Sequence, residues 1–301
     1  MIKLASGGQR TSLRRGALLA LGATITTGIA VGQAATEVRI GTNDPRPLAQ
    51  AAADLERVIG RPINYEDIRY ENSGDISDVT ASVIGPEQRA AHPGARMFVP
   101  RGGELSVAVQ VGPNSSVADD LQAISVLANA NTAEGLPGVY AASFADGAFF
   151  ITPAQLRDSE GSLVPASSVL ATPIEMPLEE RTAADTLGLI LQKVSTASGF
   201  NVDLGTFPMN GMIATNVMVG AANEPARDVI ERLFSGVLSR KLADGTSAPG
   251  ISYQLFFGPA EKQYAFNAHV VPSDNLGLGA QSGLQGSAQA TPSKNPYVVI
   301  K

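Results

Sequence analysis

Cysteine and tryptophan are absent from this chain of 301 residues, and histidine occurs only twice. Without cysteine there is no disulfide bond, no thiolate nucleophile, no thiolate metal site and no lipid-modified cysteine after an export signal. Aromatic residues make up only 5% of the chain, whereas small aliphatic residues are abundant. We therefore expect a core of small aliphatic side chains, which suits an α/β fold.

Positive charge is also scarce once the first 34 residues are set aside. Those residues hold four of the 22 basic residues and no acidic one, so 18 basic and 28 acidic residues remain, a net charge of −10. An acidic surface repels nucleic-acid phosphates and anionic lipid headgroups. We therefore expect no nucleic-acid partner.

The N-terminal segment has the three-part layout of a secretory signal peptide. Basic residues ending at Arg14 and Arg15 precede an uncharged stretch from Gly16 onward, which ends in the small residues Ala34 and Ala35. This predicts cleavage after Ala34 and a periplasmic or secreted protein, with twin-arginine export as an alternative to general secretion. No second apolar run of membrane-spanning length follows, so we expect no stable membrane insertion after cleavage.

Apolar periodicity predicts two amphipathic helices in each half of the remaining chain. These are residues 48–59, 117–128, 187–194 and 226–238. Alternation predicts strands at 105–111 and 213–219 and hairpins at 140–151 and 251–270, and the matching order of elements in the two halves adds leading strands at 38–40 and 169–174. We expect Ser116 and Asp119 to cap the second helix, residues 223–225 to cap the fourth, and Gly199 to end the third.

The two halves therefore repeat the order helix, strand, strand, helix, hairpin. This predicts an α/β (α+β) fold of two related modules, with small mixed sheets packed against helices. Duplication and chance similarity of two ordinary α/β layers both remain open as its origin. The predicted boundaries are a signal peptide (1–34), a first module (35–155) with an insertion (68–103), a linker (156–168), a second module (169–271) and a low-complexity tail (272–301).

The second half resembles the short N-terminal signalling domain shared by secretins and TonB-dependent receptors. The residues that carry the resemblance are the helix 187–194, the stretch Ser198-Gly199-Phe200-Asn201-Val202, the strand 213–219 and the helix 227–234. A weaker version recurs at 48–65. The resemblance implies a small α/β domain that binds other envelope proteins and is not a catalyst. It assigns no functional residue in this sequence.

The common catalytic motifs do not occur. There is no HExxH, no Gly-x-Ser-x-Gly and no glycine-rich phosphate loop after a strand. His269 lies in an alternating strand, where we expect it to form a hydrogen bond at the strand edge, and His92 precedes Pro93 in a loop. We predict no catalytic, cofactor-binding or metal-binding residue.

The densest polar cluster contains Tyr65, Glu66, Asp67, Arg69 and Tyr70. Two carboxylates beside aromatic rings are typical of glycoside hydrolysis or Ca²⁺ binding. Adjacent acids in an extended segment point to opposite sides, however, and calcium-loop spacing is absent. We therefore interpret the cluster as a solvated loop leading into the insertion, where these five residues would contact a ligand or partner.

These features favour a non-enzymatic binding or structural protein of the bacterial envelope that needs no cofactor and interacts with another protein or a polymer. The alternative is a secreted hydrolase of carbohydrate or peptide that uses carboxylates, such as Glu66 and Asp67, or a serine.

Overall fold

The computed structural model describes residues 36–112, 115–238 and 250–271. Helices packed against mixed sheets form an α/β fold, as predicted from the sequence. The predicted signal peptide and the low-complexity tail lie outside the described residues.

The first module contains the predicted helices and strands together with several short elements in its insertion. In chain order its elements are β1 (Thr36–Asp44), α1 (Pro47–Ile59), β2 (Ile63–Glu66), a 3₁₀ turn (Ser73–Asp75), β3 (Ile76–Asp78), α2 (Thr80–Val83), α3 (Pro86–Ala91), β4 (Phe98–Pro100), β5 (Gly103–Val111), α4 (Val117–Ala133), β6 (Val139–Ala145), β7 (Ala148–Arg157) and β8 (Leu163–Pro165). The insertion holds the 3₁₀ turn, the short helices α2 and α3, and β3, which pairs with β4.

The second module repeats this order with a shorter connection after its second strand. Its elements are a 3₁₀ turn (Val169–Ala171), β9 (Pro173–Thr182), α5 (Ala183–Ser198), β10 (Val202–Leu204), α6 (Met209–Ile213), β11 (Asn216–Pro225), α7 (Ala226–Leu238), β12 (Ile251–Gly258) and β13 (Gln263–Val270).

Strand pairing repeats as closely as the element order does. β1 pairs antiparallel with β5, and β9 pairs antiparallel with β11. Each hairpin, β6–β7 or β12–β13, then takes the strand after the first helix as a parallel neighbour of its second strand. The predicted pair of related modules is therefore present, and a common origin by duplication remains a prediction that this repetition supports.

A single sheet joins the two modules. Its strand order is β10-β13-β12-β2-β7-β6, with β8 added beside β7, and the pairing of β12 with β2 is parallel. We call this β12–β2 pairing the junction. Each module has its own apolar core against this sheet. Helices α1 and α4 pack on the strands of the first module, and α5 and α7 pack on those of the second.

Several predicted local signals are confirmed. The hydroxyl of Ser116 accepts from the backbone N of Asp119, whose carboxylate accepts in return, so a capping box opens α4. Gly199 ends α5 in the left-handed conformation at φ 76°, which glycine adopts without a Cβ penalty. Asp146 and Gly147, both with positive φ, form the predicted hairpin turn.

Three predicted boundaries are wrong. The predicted linker 156–168 belongs to the sheet, because β7 runs to Arg157 and β8 pairs back onto it after a turn in which Asp158 accepts from Ser162. Asp, Ser and Gly in that segment make a hairpin turn, not a linker. Val169 begins a 3₁₀ turn, and the strand starts only at Pro173. Ile213 ends a short helix, so the following strand starts at Asn216.

The predicted cap of the fourth helix is also wrong. β11 continues to Pro225, and Asn223 adopts φ 57° within an irregular part of that strand. Glu224 binds Arg232 of α7 through two hydrogen bonds of 2.6 and 2.8 Å. The acid therefore anchors the side of the helix, not its first turn.

Candidate functional site

The residues predicted to contact a ligand lie mostly inside the protein, at the junction. All four residues of β2 are buried, and Tyr65, Glu66 and Asp67 are at most 2% exposed. The prediction that these three side chains form a surface contact is therefore wrong, as is their interpretation as a solvated loop. The cause is that β2 has neighbours on both sides, β7 and β12, so both of its edges and both of its faces are covered.

Glu66 points into the second module. Its carboxylate accepts from Nε and Nη2 of Arg227 at 2.6 and 2.9 Å and from the hydroxyl of Tyr253 at 2.7 Å. Two parallel bonds to one guanidinium fix both groups in direction as well as distance. This ion pair connects β2 of the first module to α7 of the second.

Asp67 points the other way, as expected for adjacent residues of an extended segment. It accepts from Nε of Arg46 at 2.9 Å, from the hydroxyls of Tyr65 and Tyr70 at 3.0 and 2.6 Å, and from the backbone N of Phe257 at 3.2 Å. Burial, followed by the nearby Asp67 carboxylate, raises the pKa of Tyr65 and of Tyr70 well above the usual value. Both phenols are therefore neutral donors to the carboxylate.

This geometry does not support hydrolysis by Glu66 and Asp67. Each carboxylate is held by a different guanidinium and the two point to opposite sides of the strand, whereas glycoside hydrolysis needs two carboxylates on either side of one bond. The remaining two predicted contacts are more accessible. Arg69 is partly exposed and stacks over the ring of Phe200 at 5.0 Å, and Tyr70 is half-buried.

His269 forms the predicted hydrogen bonds at its strand, with partners in both modules. Its Nε2 lies 2.6 Å from Oε1 of Glu56 in α1 and 3.0 Å from the hydroxyl of Ser252 on the neighbouring strand. A catalytic serine relay needs the carboxylate and the serine on opposite ring nitrogens. Both contacts here use the same nitrogen, so the cluster connects the modules and does not activate Ser252.

An open groove lies beside α7. Its volume is about 920 Å³. It is lined by Asn216 to Gly220 of β11, by residues of α7 and by Asp146 from the β6–β7 turn. Residues of both modules therefore line the groove.

Among the described residues, four carboxylates and one guanidinium line this groove, and two of the carboxylates are exposed and form no ion pair there. Glu224 is bound to Arg232, which lowers the pKa of that acid. Burial raises the pKa of Glu231 to about 8, so much of it is uncharged at neutral pH. Asp146 and Asp228 are exposed, and neither forms an ion pair with any residue that the structure describes.

Two apolar side chains stand at the rim of the groove. Leu178 of β9 is 68% exposed and Met218 of β11 is 66% exposed. Gly220 permits this arrangement, because a Cβ there would lie 2.8 Å from the Cα of Leu178. The groove therefore combines unpaired negative charge with exposed apolar surface. Sequence reasoning missed it, although Met218 stands out as an apolar residue in the polar phase of Val217 and Val219.

The described residues contain no cluster of three or more histidine, aspartate or glutamate side chains that could hold a metal ion, and none of their helices has the length and hydrophobicity of a membrane span.

Comparison with known proteins adds no family to this picture. No family model matches the chain, and no curated protein or solved structure matches it either. The resemblance of the second module to the signalling domain of secretins and TonB-dependent receptors therefore stays a prediction.

Proposed function

We propose that this chain is an exported, non-enzymatic binding protein of the bacterial envelope, and that the groove beside α7 receives an extended, basic segment of a partner protein or polymer. The observation that carries the proposal is the pairing of two uncommitted carboxylates, Asp146 and Asp228, with the exposed Leu178 and Met218. Exposed apolar surface beside unpaired charge is a common feature of interaction sites.

Charge determines which partner fits. Apart from Arg232, which is bound to Glu224, no cation among the described residues lines the groove, so a basic segment would meet two carboxylates, Asp146 and Asp228, that form no ion pair with those residues. Complementary charge raises the association rate and excludes acidic competitors. Leu178 and Met218 would contact the apolar parts of the same segment. The non-enzymatic role is supported by the ion pairs that occupy Glu66 and Asp67.

Site-specific photo-crosslinking in the producing cell tests this proposal. A photoreactive residue at position 218 should yield one discrete adduct with an envelope component, and Asp146→Lys with Asp228→Lys should abolish it. The matched control is position 83, because Val83 is similarly exposed at 56% but lies in the insertion. Adducts of equal yield at both positions, or none at any groove position, would contradict the proposal.

The export part of the proposal has its own measurement. The protein should be recovered from the periplasm or the medium with Ala35 as its first residue, as determined by mass spectrometry. Recovery from the cytosol with residues 1–34 still attached would contradict export without affecting the groove.

A further inference from the structure

The seven-stranded sheet ends in two different strands, each with one unpaired side. β10 pairs only with β13, and β6 pairs only with β7, among the strands that the structure describes. An open strand edge presents backbone N–H and C=O groups that another strand can bind.

These two ends are equivalent to the two strands that meet at the junction. β2 and β10 occupy the same position in their modules, since Ile63 lies opposite Phe149 and Val202 lies opposite Tyr264. β6 and β12 are equivalent in the same way, because Phe144 lies opposite Phe149 and Phe257 lies opposite Tyr264. At the junction, β12 pairs with β2. Their equivalents in the other module, β6 and β10, are the two strands whose outer edges are open at the ends of the sheet.

We propose that copies of this chain assemble head to tail, with β6 of one copy pairing in parallel with β10 of the next. The junction supplies the expected register. It places Gln254 opposite Tyr65 and Leu255 opposite Glu66. The equivalent positions place Ala141 of one copy opposite Leu204 of the next. The contact would continue the sheet across copies, using the relation that already holds between modules in one chain.

Both edges are accessible for this contact. Ala141 and Ser143 of β6 are exposed. β10 borders a depression of about 340 Å³ between that strand and α5. The backbone N of Gly205 donates to Phe266 of β13 at 2.8 Å, so the backbone groups of the preceding residue, Leu204, face away from β13 and toward the open side.

The contact between copies should be weaker than the junction. The positions equivalent to Glu66 and Asp67 are Gly205 and Thr206, which supply no carboxylate for an ion pair. The backbone N of Thr206 is also occupied, since it donates to the side chain of Asn267 at 3.0 Å. Two backbone hydrogen bonds around Leu204 therefore remain, and assembly should depend on protein concentration. Because the two edges differ, the contact is heterologous and extends into a chain or closes into a ring.

Cysteine crosslinking tests the register, and the absence of native cysteine makes the result simple to interpret. Neighbouring strands place opposed Cα atoms about 4.8 Å apart, within the range of about 4.4–6.8 Å that a disulfide spans. The full chain carrying both Ala141→Cys and Leu204→Cys should therefore give a ladder of dimers and larger species on oxidation. Each single variant should give no covalent product, and an equal mixture of the two should give covalent dimers only.

The control chain carries Val83→Cys and Leu163→Cys, both at positions about half exposed. No more product from the 141/204 chain than from this control, at the highest soluble concentration, would overturn the proposal. Dimers from either single variant would indicate two-fold pairing of like edges, which also overturns head-to-tail assembly.

Proline substitution tests the same contact without a covalent bond. Ala142→Pro removes an N–H from the open side of β6, and Leu204→Pro does so in β10; edge strands tolerate proline where the N–H faces solvent. In sedimentation velocity, each variant alone should remain monomeric, the mixture should form heterodimers, and the unmodified chain should grow larger with concentration. An unmodified chain that stays monomeric throughout would overturn the proposal. Circular dichroism checks that each variant is folded.

Discussion

β2 and β10 occupy the same position in the two modules but carry different side chains. Asn64, Glu66 and Asp67 lie in and directly after β2, whereas the equivalent positions in and after β10 are Asp203, Gly205 and Thr206. The strand with the buried polar residues is the one that has a neighbour from the other module. The shared fold therefore provides an edge at this position in each module, and the polar residues of β2 determine that β12 pairs with it.

The polar contacts of β2 specify one register of the junction. Asn64 accepts from the backbone N of Tyr253 at 2.9 Å, and Asp67 accepts from that of Phe257 at 3.2 Å. A shift of the strand would leave these side chains buried without partners, which costs about 1–3 kcal/mol for each group and more for a charged one. Buried ion pairs contribute little net stability, but breaking one is expensive. The junction residues therefore exclude alternative pairings more than they add stability.

The largest effect should come from breaking the pair that connects the modules. Arg227→Met leaves the carboxylate of Glu66 buried with only the hydroxyl of Tyr253 as a side-chain donor. We expect a loss of about 3–5 kcal/mol in the free energy of unfolding, measured by urea denaturation. Adding Glu66→Gln to the same chain should recover part of the loss.

Arg232→Met is the matched control, because Arg232 forms its ion pair on the surface, at 46% side-chain exposure. That substitution should cost less than about 1 kcal/mol. Equal losses in the two variants would mean that the buried pair has no special role and that the contrast between β2 and β10 is irrelevant to stability.

The second effect depends on pH and concerns Glu231, which also contacts β2. Its Oε1 accepts from Nδ2 of Asn64 at 2.9 Å, and burial raises its pKa from 4.5 to about 8. The folded protein therefore keeps the proton up to about pH 8, whereas the unfolded chain releases it near pH 4.5. Stability from this group is complete below the unfolded pKa and is lost as the pH rises through about 8.

Glu231→Gln should remove this dependence while keeping an oxygen for Asn64. We expect the variant to be more stable than the unmodified chain by on the order of 3 kcal/mol at about pH 9 and nearly equal to it at about pH 5. Glu224→Gln is the control in the same groove. The pKa of Glu224 is lowered by Arg232, so its loss should have the opposite sign and be smaller. A difference for Glu231→Gln that does not change with pH would contradict the assignment.

Most of the fold could be predicted because its signals are local. The apolar face of α7, the capping box at Ser116 and the turn at Gly147 each depend on residues close in sequence. Two of the failures share one cause. The turn at Asp158 and the extension of β11 to Pro225 depend on a partner strand, and the sequence of one segment does not show whether a partner is present.

The site was harder to predict for the same reason. Glu66 and Asp67 were correctly expected to point apart, but their burial depends on β12, which lies about 190 residues away in the sequence. An acidic, tyrosine-rich segment looks like an exposed loop unless the arginines that pair with it are known. Arg46 lies 21 residues before Asp67 and Arg227 lies 161 residues after Glu66, and no spacing rule connects either arginine with its partner.

A smaller effect should separate the junction from the interior of the second module. The hydroxyl of Tyr65 has two partners, Asp67 and Tyr140, whereas that of the equally buried Tyr264 has none among the described residues. Tyr65→Phe should cost about 1–2 kcal/mol in urea denaturation, because it removes a donor from a buried carboxylate. Tyr264→Phe should change stability by less than about 0.5 kcal/mol. A larger loss at Tyr264 would place the important hydroxyl outside the junction.

The smallest effect on stability should come from the groove, in contrast to the junction. Leu178 and Met218 are mostly exposed, so replacing both with serine removes little buried area and should change the free energy of unfolding by less than about 0.5 kcal/mol. The same double variant, with the photoreactive residue moved to position 216, should lose the adduct expected in the producing cell. If stability falls instead by as much as it does in Arg227→Met, these side chains support the fold, and the functional contrast between a structural junction and a binding groove fails.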